Sequence, residues 1–281
     1  MIRRYGAEDA AACADLYNRV LEVVPTFVPV DAPSLDHAVT EPDSFHDEVA
    51  EGTALVAADA GGVRGWAALC RRRPGPDAPW DAVLRALCVP PAETDVVAAL
   101  WEGVREWAGG ARVVVGGSGG LRFCNGGGGA LPESTGLGPA LLRCGLRLTA
   151  RELLLQGLVA PAARTAGPAR VEAADEHGSC RALIDGRVVG ECWIGRASRC
   201  SSHPEAAAHA FVQWIGTEAD WRGRGVARQL WAFTTARLCG HGVRRISLST
   251  PCDNFGAHAF YFRVGLRVVD QGLGMETRAE A

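Results

Sequence analysis

The stretch Ile215-Gly216-Thr217-Glu218-Ala219-Asp220-Trp221-Arg222-Gly223-Arg224-Gly225-Val226-Ala227 passes from the end of an apolar strand into the start of a helix. Gly223 and Gly225 remove side chains where the chain turns and where an anion would have to come close. The helix expected over Gly225–Leu238 carries Val226, Leu230 and Phe233 on one face. Its first amides have no intrahelical acceptor, and together with the helix dipole they favour negative charge at that end. Arg222 and Arg224 add guanidinium forks matched to phosphate oxygens. The plain alternative is a Gly-rich turn with two solvated arginines.

Further downstream comes Asn254-Phe255-Gly256-Ala257-His258-Ala259-Phe260-Tyr261-Phe262-Arg263-Val264-Gly265-Leu266. With this segment the chain resembles the GNAT acetyltransferase superfamily. The family's Arg/Gln-x-x-Gly-x-Gly/Ala loop falls on Arg222, Gly225 and Ala227. Its Asn-x-x-Ala-x-x-x-Tyr-x-x-x-Gly-Phe segment falls on Asn254, Ala257, Tyr261 and Gly265, with Leu266 in place of Phe. The resemblance covers residues 169–281 well and residues 1–158 in outline. It implies acetyl-CoA as co-substrate, with no metal. The pyrophosphate would lie on the loop from Arg222 through Gly223, Arg224, Gly225 and Val226 to Ala227, and pantetheine along Ile215, Gly216 and Thr217, with Asn254 in the binding set. Tyr261 would be the general acid for the departing thiolate, since a thiol of pKa ~8.5 leaves as an anion near neutral pH. Against this stands a core aromatic beside Phe260 and Phe262. An acceptor ammonium must also lose a proton before it attacks. His209, at the start of the strand leading to the loop, and Glu191, on the preceding strand, are the candidate bases. Either could equally be a strand residue satisfied by the backbone.

The chain of 281 residues is 48% hydrophobic and 22% charged, enough for two ordinary domains or one large one. The run Ala160–Pro168 reads as a linker between residues 1–159 and residues 169–281. The first half reads as a strand at Ile2–Tyr5, a helix from Asp9 to Leu21 ended by Pro25, Pro29 and Pro33, a hairpin over 54–70, a buried strand at Val83–Val89 and a helix at Thr94–Trp107. The second half repeats the strand-turn-strand-strand-helix-strand order, with hairpin 179–194, strands 210–217 and 245–249, helix 254–263 and a last strand from Gly265 to Asp270. The expectation is an α/β (α+β) fold of two GNAT-like domains, each a mixed, mostly antiparallel twisted sheet flanked by helices, arisen by duplication.

The halves have complementary defects. After its buried strand the first reads Val89-Pro90-Pro91-Ala92-Glu93-Thr94-Asp95, without the Arg-x-x-Gly-x-Gly loop, and Glu93 and Asp95 would repel a pyrophosphate. Gly145-Leu146 survives without an Asn or Tyr at the family spacing. This half therefore reads as a degenerate, non-catalytic copy. The Gly-rich run 109–129 lacks the Lys-Ser/Thr ending of a phosphate loop and reads as a connection. The second half has only Ala169–Gly178 where the family has two helices walling the acceptor cleft. The first half, or a second copy in a homodimer, would supply that wall.

A net charge of −3 disfavours nucleic acid as a partner, and Arg71-Arg72-Arg73 reads as a solvated loop. No apolar run nears the ~18 residues of a membrane span and no signal peptide is evident, so no membrane partner and a cytoplasmic location are expected. Ten Cys without a Cys-x-x-Cys pair and seven scattered His read as reduced thiols and no metal site. The expected function is acetyl-CoA-dependent N-acetyl transfer to a primary amine of a small molecule or peptide, with the Ala197–Ala208 loop (His203, Glu205) shaping acceptor choice. The alternative is a non-catalytic tandem module that senses acyl-CoA or binds a partner; Tyr261 retained with Asn254 favours the enzyme.

Overall fold

In the computed structural model, which describes residues 1–42, 48–116, 130–160 and 166–277, the apolar runs become strands of one open sheet. The first half supplies β1 (Ile2–Arg4), α1 (Ala10–Leu21), α2 (Ala32–Thr40), β2 (Glu48–Asp59), β3 (Gly62–Arg73) and β4 (Asp81–Cys88). It continues with α3 (Thr94–Ala108), β5 (Val113–Val115), β6 (Leu131–Pro132), α4 (Gly138–Arg143) and β7 (Arg147–Leu158). The second half supplies β8 (Arg170–Ala173), β9 (Cys180–Ile184), β10 (Arg187–Arg196), β11 (His209–Thr217), α5 (Val226–Gly240), β12 (Arg245–Pro251), α6 (Phe255–Arg263) and β13 (Arg267–Glu276).

The sheet runs β1-β2-β3-β4-β5-β13-β7-β12-β11-β10-β9-β8, with β6 laid on β13. Its pairs are antiparallel except β4·β5 and β11·β12. The expected two sheets are thus joined into one, because each half gives its last strand to the other. Strand β7 pairs with β12, Leu248 opposite Leu155, and β13 pairs with β5, Met275 opposite Val115. The exchanged strand is buried on both faces at its centre, where Leu154 and Leu155 are each fully buried. Residues 161–165 of the expected linker lie outside the described residues.

Helices α3 and α4 cover one face of the first half through Val97, Leu100, Trp101 and Leu141, and α5 with α6 cover the same side of the second. Helices α1 and α2 pack on the other face, and their core includes Ala197, Ala206 and Phe211 from the second half. The sequence reading let Pro33 end a helix. It instead sits in the first turn of α2, where its missing N–H is harmless, and Asp31 caps that turn. Strand β5 was also missed, hidden in the Gly-rich run whose residues 117–129 lie outside the described set.

The 197–208 segment, expected as a free specificity loop, forms two 3-10 turns docked on the α1–α2 connection. Asp31 accepts bonds from the Ser202 amide (2.9 Å) and hydroxyl (2.7 Å) as well as from Ser34. The Ser201 hydroxyl donates to Pro29 O (2.7 Å), and Gln156 Nε2 donates to Pro25 O (2.9 Å). Burial opposes the Asp31 charge, but these donors outweigh it and pull the carboxyl down to about 2. Asp31→Ala should cost about 1 kcal/mol at neutral pH. The folded pKa lies below the unfolded 3.8, so the contribution is complete above that pH and is lost as pH falls toward about 2. Denaturant titrations of both proteins across that window should show the difference shrinking.

Candidate functional site

Strands β11 and β12 pair only from His209 to Phe211 against Arg245 to Ser247. Beyond that point β11 continues on β10 alone, with a bulge between Trp193 and Ile194, and its far edge faces an opening. The strand ends in a 3-10 turn at Ala219–Trp221, then Gly223 (φ 74°) and Gly225 (φ 89°), and α5 begins at Val226. No side chain caps α5, and its first backbone bond is Gln229 N–H to Gly225 O at 3.1 Å. The preceding amides are therefore left for a ligand. Arg222 Nε is tied to Thr217 O at 3.1 Å, and the Arg224 guanidinium stacks 4.9 Å from the Trp221 ring.

The opening is a cleft of about 540 Å³. It brings together Glu191, Ile215, Gly216, Thr217, Arg222, Ala227, Asn254 and Tyr261 of the residues singled out in sequence. Gly223, Arg224, Gly225 and Val226 form the turn that leads into its helix end. Asn254 caps α6, its Oδ1 accepting from Ala257 N–H at 3.3 Å. That cap orients the helix carrying Tyr261, which is 7% exposed. Burial, with the nearby Cys192 thiol second, pushes the phenol up to about 12, so it stays protonated and able to donate near neutral pH. Glu191 lies opposite Gly216 in the β10·β11 ladder and accepts from Trp193 Nε1 at 3.4 Å.

His209 is not among the residues lining this cleft. It stands at the closed end of the gap, opposite Arg245, and is 5% exposed. Its Nδ1 lies 3.4 Å from Glu205 O, and Nε2 is buried without a partner. Burial lowers its pKa, aided by Arg245 and Arg244, which favours the neutral ring. The sequence reading missed Trp214, which lines the cleft and is 57% exposed. It stands opposite Trp193, which is 41% exposed, because of a bulge that no residue pattern announces.

In the first half β4 and β5 pair over Ala82–Leu84 and Val113–Val115, the whole of β5, and residues 117–129 beyond it lie outside the described set. Between β4, Val115 and Ala130–Pro132 a space of about 30 Å³ remains, lined by Leu84, Leu87 and Leu131 with Arg85 and Thr135. Glu93, at the N-terminus of α3, is held by Arg64 at 2.8 Å, with Asp95 at 3.8 Å from the same guanidinium. Among the described residues no group of three or more His, Cys, Asp or Glu is placed to hold a metal ion. No described helix is long and apolar enough to cross a membrane.

Residues 150–266 match the model of the acetyltransferase (GNAT) family. Among solved structures, a tandem GNAT protein from the clavulanic acid biosynthesis pathway superposes with TM-score 0.74 at 15% identity, over 100% of this chain and 99% of that one. A GCN5-related N-acetyltransferase from Sphaerobacter thermophilus gives 0.70 at 16%, over 100% and 96%. The GCN5-related glucosamine N-acetyltransferase region of a fungal multi-domain GH3 β-N-acetylglucosaminidase gives 0.73 at 14%; 98% of this chain is covered, but only 38% of that protein. At these identities the likeness is one of fold. No curated protein is significantly similar in sequence.

Gly225 offers a test of the turn alone. At φ 89° a Cβ is strained although its nearest neighbour, Arg228 Nη2, would be 3.4 Å away. Gly225→Ala should therefore lower stability by about 1–2 kcal/mol, read as a shift of the denaturant midpoint.

Proposed function

We propose that the chain is an acetyl-CoA-dependent N-acetyltransferase working in the β11–β12 cleft, a reading supported by the match of residues 150–266 to the GNAT family model and by the likeness of the whole chain to the fold of a tandem GNAT protein. The acceptor is a primary amine of a small molecule or peptide. The single observation that carries this reading is the open gap with an uncapped helix end at its mouth and a buried, protonated Tyr261 on its wall.

The residues divide the work by chemistry. Amides at the start of α5, with Arg222, hold the pyrophosphate. The free edge of β11 at Ile215, Gly216 and Thr217 bonds pantetheine as a neighbouring strand would. Glu191, which lines the cleft, takes the proton from the acceptor ammonium, directly or through a water; His209 has no such access. The amine nitrogen then bonds to the thioester carbon as the carbon–sulfur bond breaks, and Tyr261 gives its proton to the leaving sulfur. The new amide nitrogen sheds its second proton and Glu191 returns the first to water, while the phenolate recovers one, so each turnover releases one proton net. The carboxylates of Glu93 and Asp95, held by Arg64 at the start of α3 where an anion would otherwise bind, support a single working site in the second half. The α1–α2 connection, seated on β7 and on the 197–208 turns, gives the second half the wall its own sequence lacks.

Tyr261→Phe should lower kcat about 100-fold or more while acetyl-CoA affinity is nearly unchanged, because a transition-state donor is lost and little contact area. Unchanged turnover would remove the acid role. Gly225→Glu should abolish acetyl-CoA binding in calorimetry, by placing a negative charge at the helix end. Retained binding would reduce the loop to a turn, and wild-type stoichiometry of two would contradict a single working site.

A further inference from the structure

Strand pairing decides what the β10·β11 ladder presents on each face. Cys192 and Ile215 stand opposite each other and pack under α5 and α6. Alternation turns the neighbouring pairs, Glu191 with Gly216 and Trp193 with Trp214, to the other face. The next pair on that face is Gly195 with Phe211, and Phe211 is buried in the core of α1 and α2. Gln213, the extra residue of the bulge, lies over Gly195, where a Cβ would be 2.8 Å from its Nε2. Cover from the first half thus ends at Phe211. The second half opens on β8 without a helix among the described residues, so the two indoles beyond Phe211 stand half-exposed. Adjacent exposed rings form a contiguous apolar patch, which marks a contact surface.

Both rings converge on one carboxylate. Trp193 Nε1–H donates to Glu191 Oε2 at 3.4 Å. The Trp214 ring lies along β11 over Gly216, the residue opposite Glu191, where a Cβ would be 2.8 Å from Nε1. The absent side chain at Gly216 is what lets an indole lie there. Across β9 the neighbour of Glu191 is Arg181, which lies 3.7 Å from Glu172. Glu191 itself forms no ion pair among the described residues, whereas Glu218, the other acid lining the cleft, is bound by Arg187. Glu191, Trp214 and Gly216 line the same cleft as Tyr261, which reaches it from the α5–α6 side. An amine resting on the rings would therefore have the carboxylate beside it and the cleft ahead of it.

We propose that Trp193 and Trp214 select the acceptor: their rings bed the flat apolar body of a primary monoamine and bring its ammonium to Glu191. Indole rings attract both the apolar body and the cation. One unpaired carboxylate suits one ammonium, and a hydroxylated body would give up hydrogen bonds to water against these rings. The proposal rests on the acyl-transfer reading of the cleft.

The test uses the full chain with acetyl-CoA and four amines: 2-phenylethylamine, ethylamine, glucosamine and spermidine. Wild-type kcat/KM for 2-phenylethylamine should exceed that for each of the others about 10-fold or more, the scale of one buried aromatic contact. Trp193→Ala and Trp214→Ala should each cut the ratio of 2-phenylethylamine to ethylamine about 5-fold or more. Damage to Glu191 or to the acetyl-CoA site would lower both amines alike and leave that ratio unmoved. Trp193→Phe should restore most of the ratio, and circular dichroism should show the wild-type fold in every variant. An unchanged ratio in both alanine variants, preference for glucosamine or spermidine, or turnover of none of the four would overturn the proposal. So would a wild-type dimer in sedimentation that Trp193→Ala splits without moving the ratio, since the rings would then join two copies. Failure of wild type to bind acetyl-CoA would instead remove the acyl-transfer reading beneath it.

Discussion

The parting of β11 from β12 after Phe211 and Ser247 is the constraint on which the rest of the molecule turns. Two parallel strands that separate leave backbone donors and acceptors without partners, and inside a core that would be prohibitive. The separation is tolerable because water or a ligand can enter the gap. It is maintained because each bank is braced from outside. Strand β10 holds β11 along its length, and β7 holds β12 from Arg245 to Pro251. Bracing by β7 is the structural reason for the strand exchange. Without it β12 would be an edge, free to close on β11 or to pair with another chain.

The two halves treat the matching helix end in opposite ways. In the first, only about 30 Å³ remains beside Leu84, Leu87, Val115 and Leu131, and the start of α3 is occupied by carboxylates tied to Arg64. Its anion site is reversed in sign. In the second, the space stays open, and glycines with flanking arginines leave the helix end electropositive. The first copy is not idle: it lends β7 to the sheet, and its α1–α2 connection docks on β7 and on the 197–208 turns.

Charge is sorted by the sheet as well. Arg222 and the free amides of α5 gather at the open end of the gap, where a polyanion would enter. The acidic side chain of Glu191 stands on the opposite face from Cys192, which is buried under α5 and α6. A sheet one backbone thick keeps the two fields apart while letting a small group pass between the strands. Asp31 and the serines of the 197–208 turns hold the wall in register on that second face.

Sequence alone determined the local parts: the strand-to-helix loop at 217–227, the helix from Asn254 with Tyr261 seven residues on, and most strands and helices of both halves. Each is fixed by short-range chemistry, such as glycine backbone freedom, helix-end amides and the periodicity of apolar side chains. Strand β5 escaped because the Gly-rich run gives an opposite local signal that tertiary burial overrides, and Pro33 was read as a stop where it starts α2. His209 and Glu191 looked alike in sequence, as polar residues on neighbouring strands. Only the register separated them, putting one at the closed end of the gap and the other on its lip. Trp214 gave no signal at all, since a bulge has no motif. The gap it lines follows from which strand lies beside which, and pairing between residues a hundred positions apart is a property of the assembled sheet.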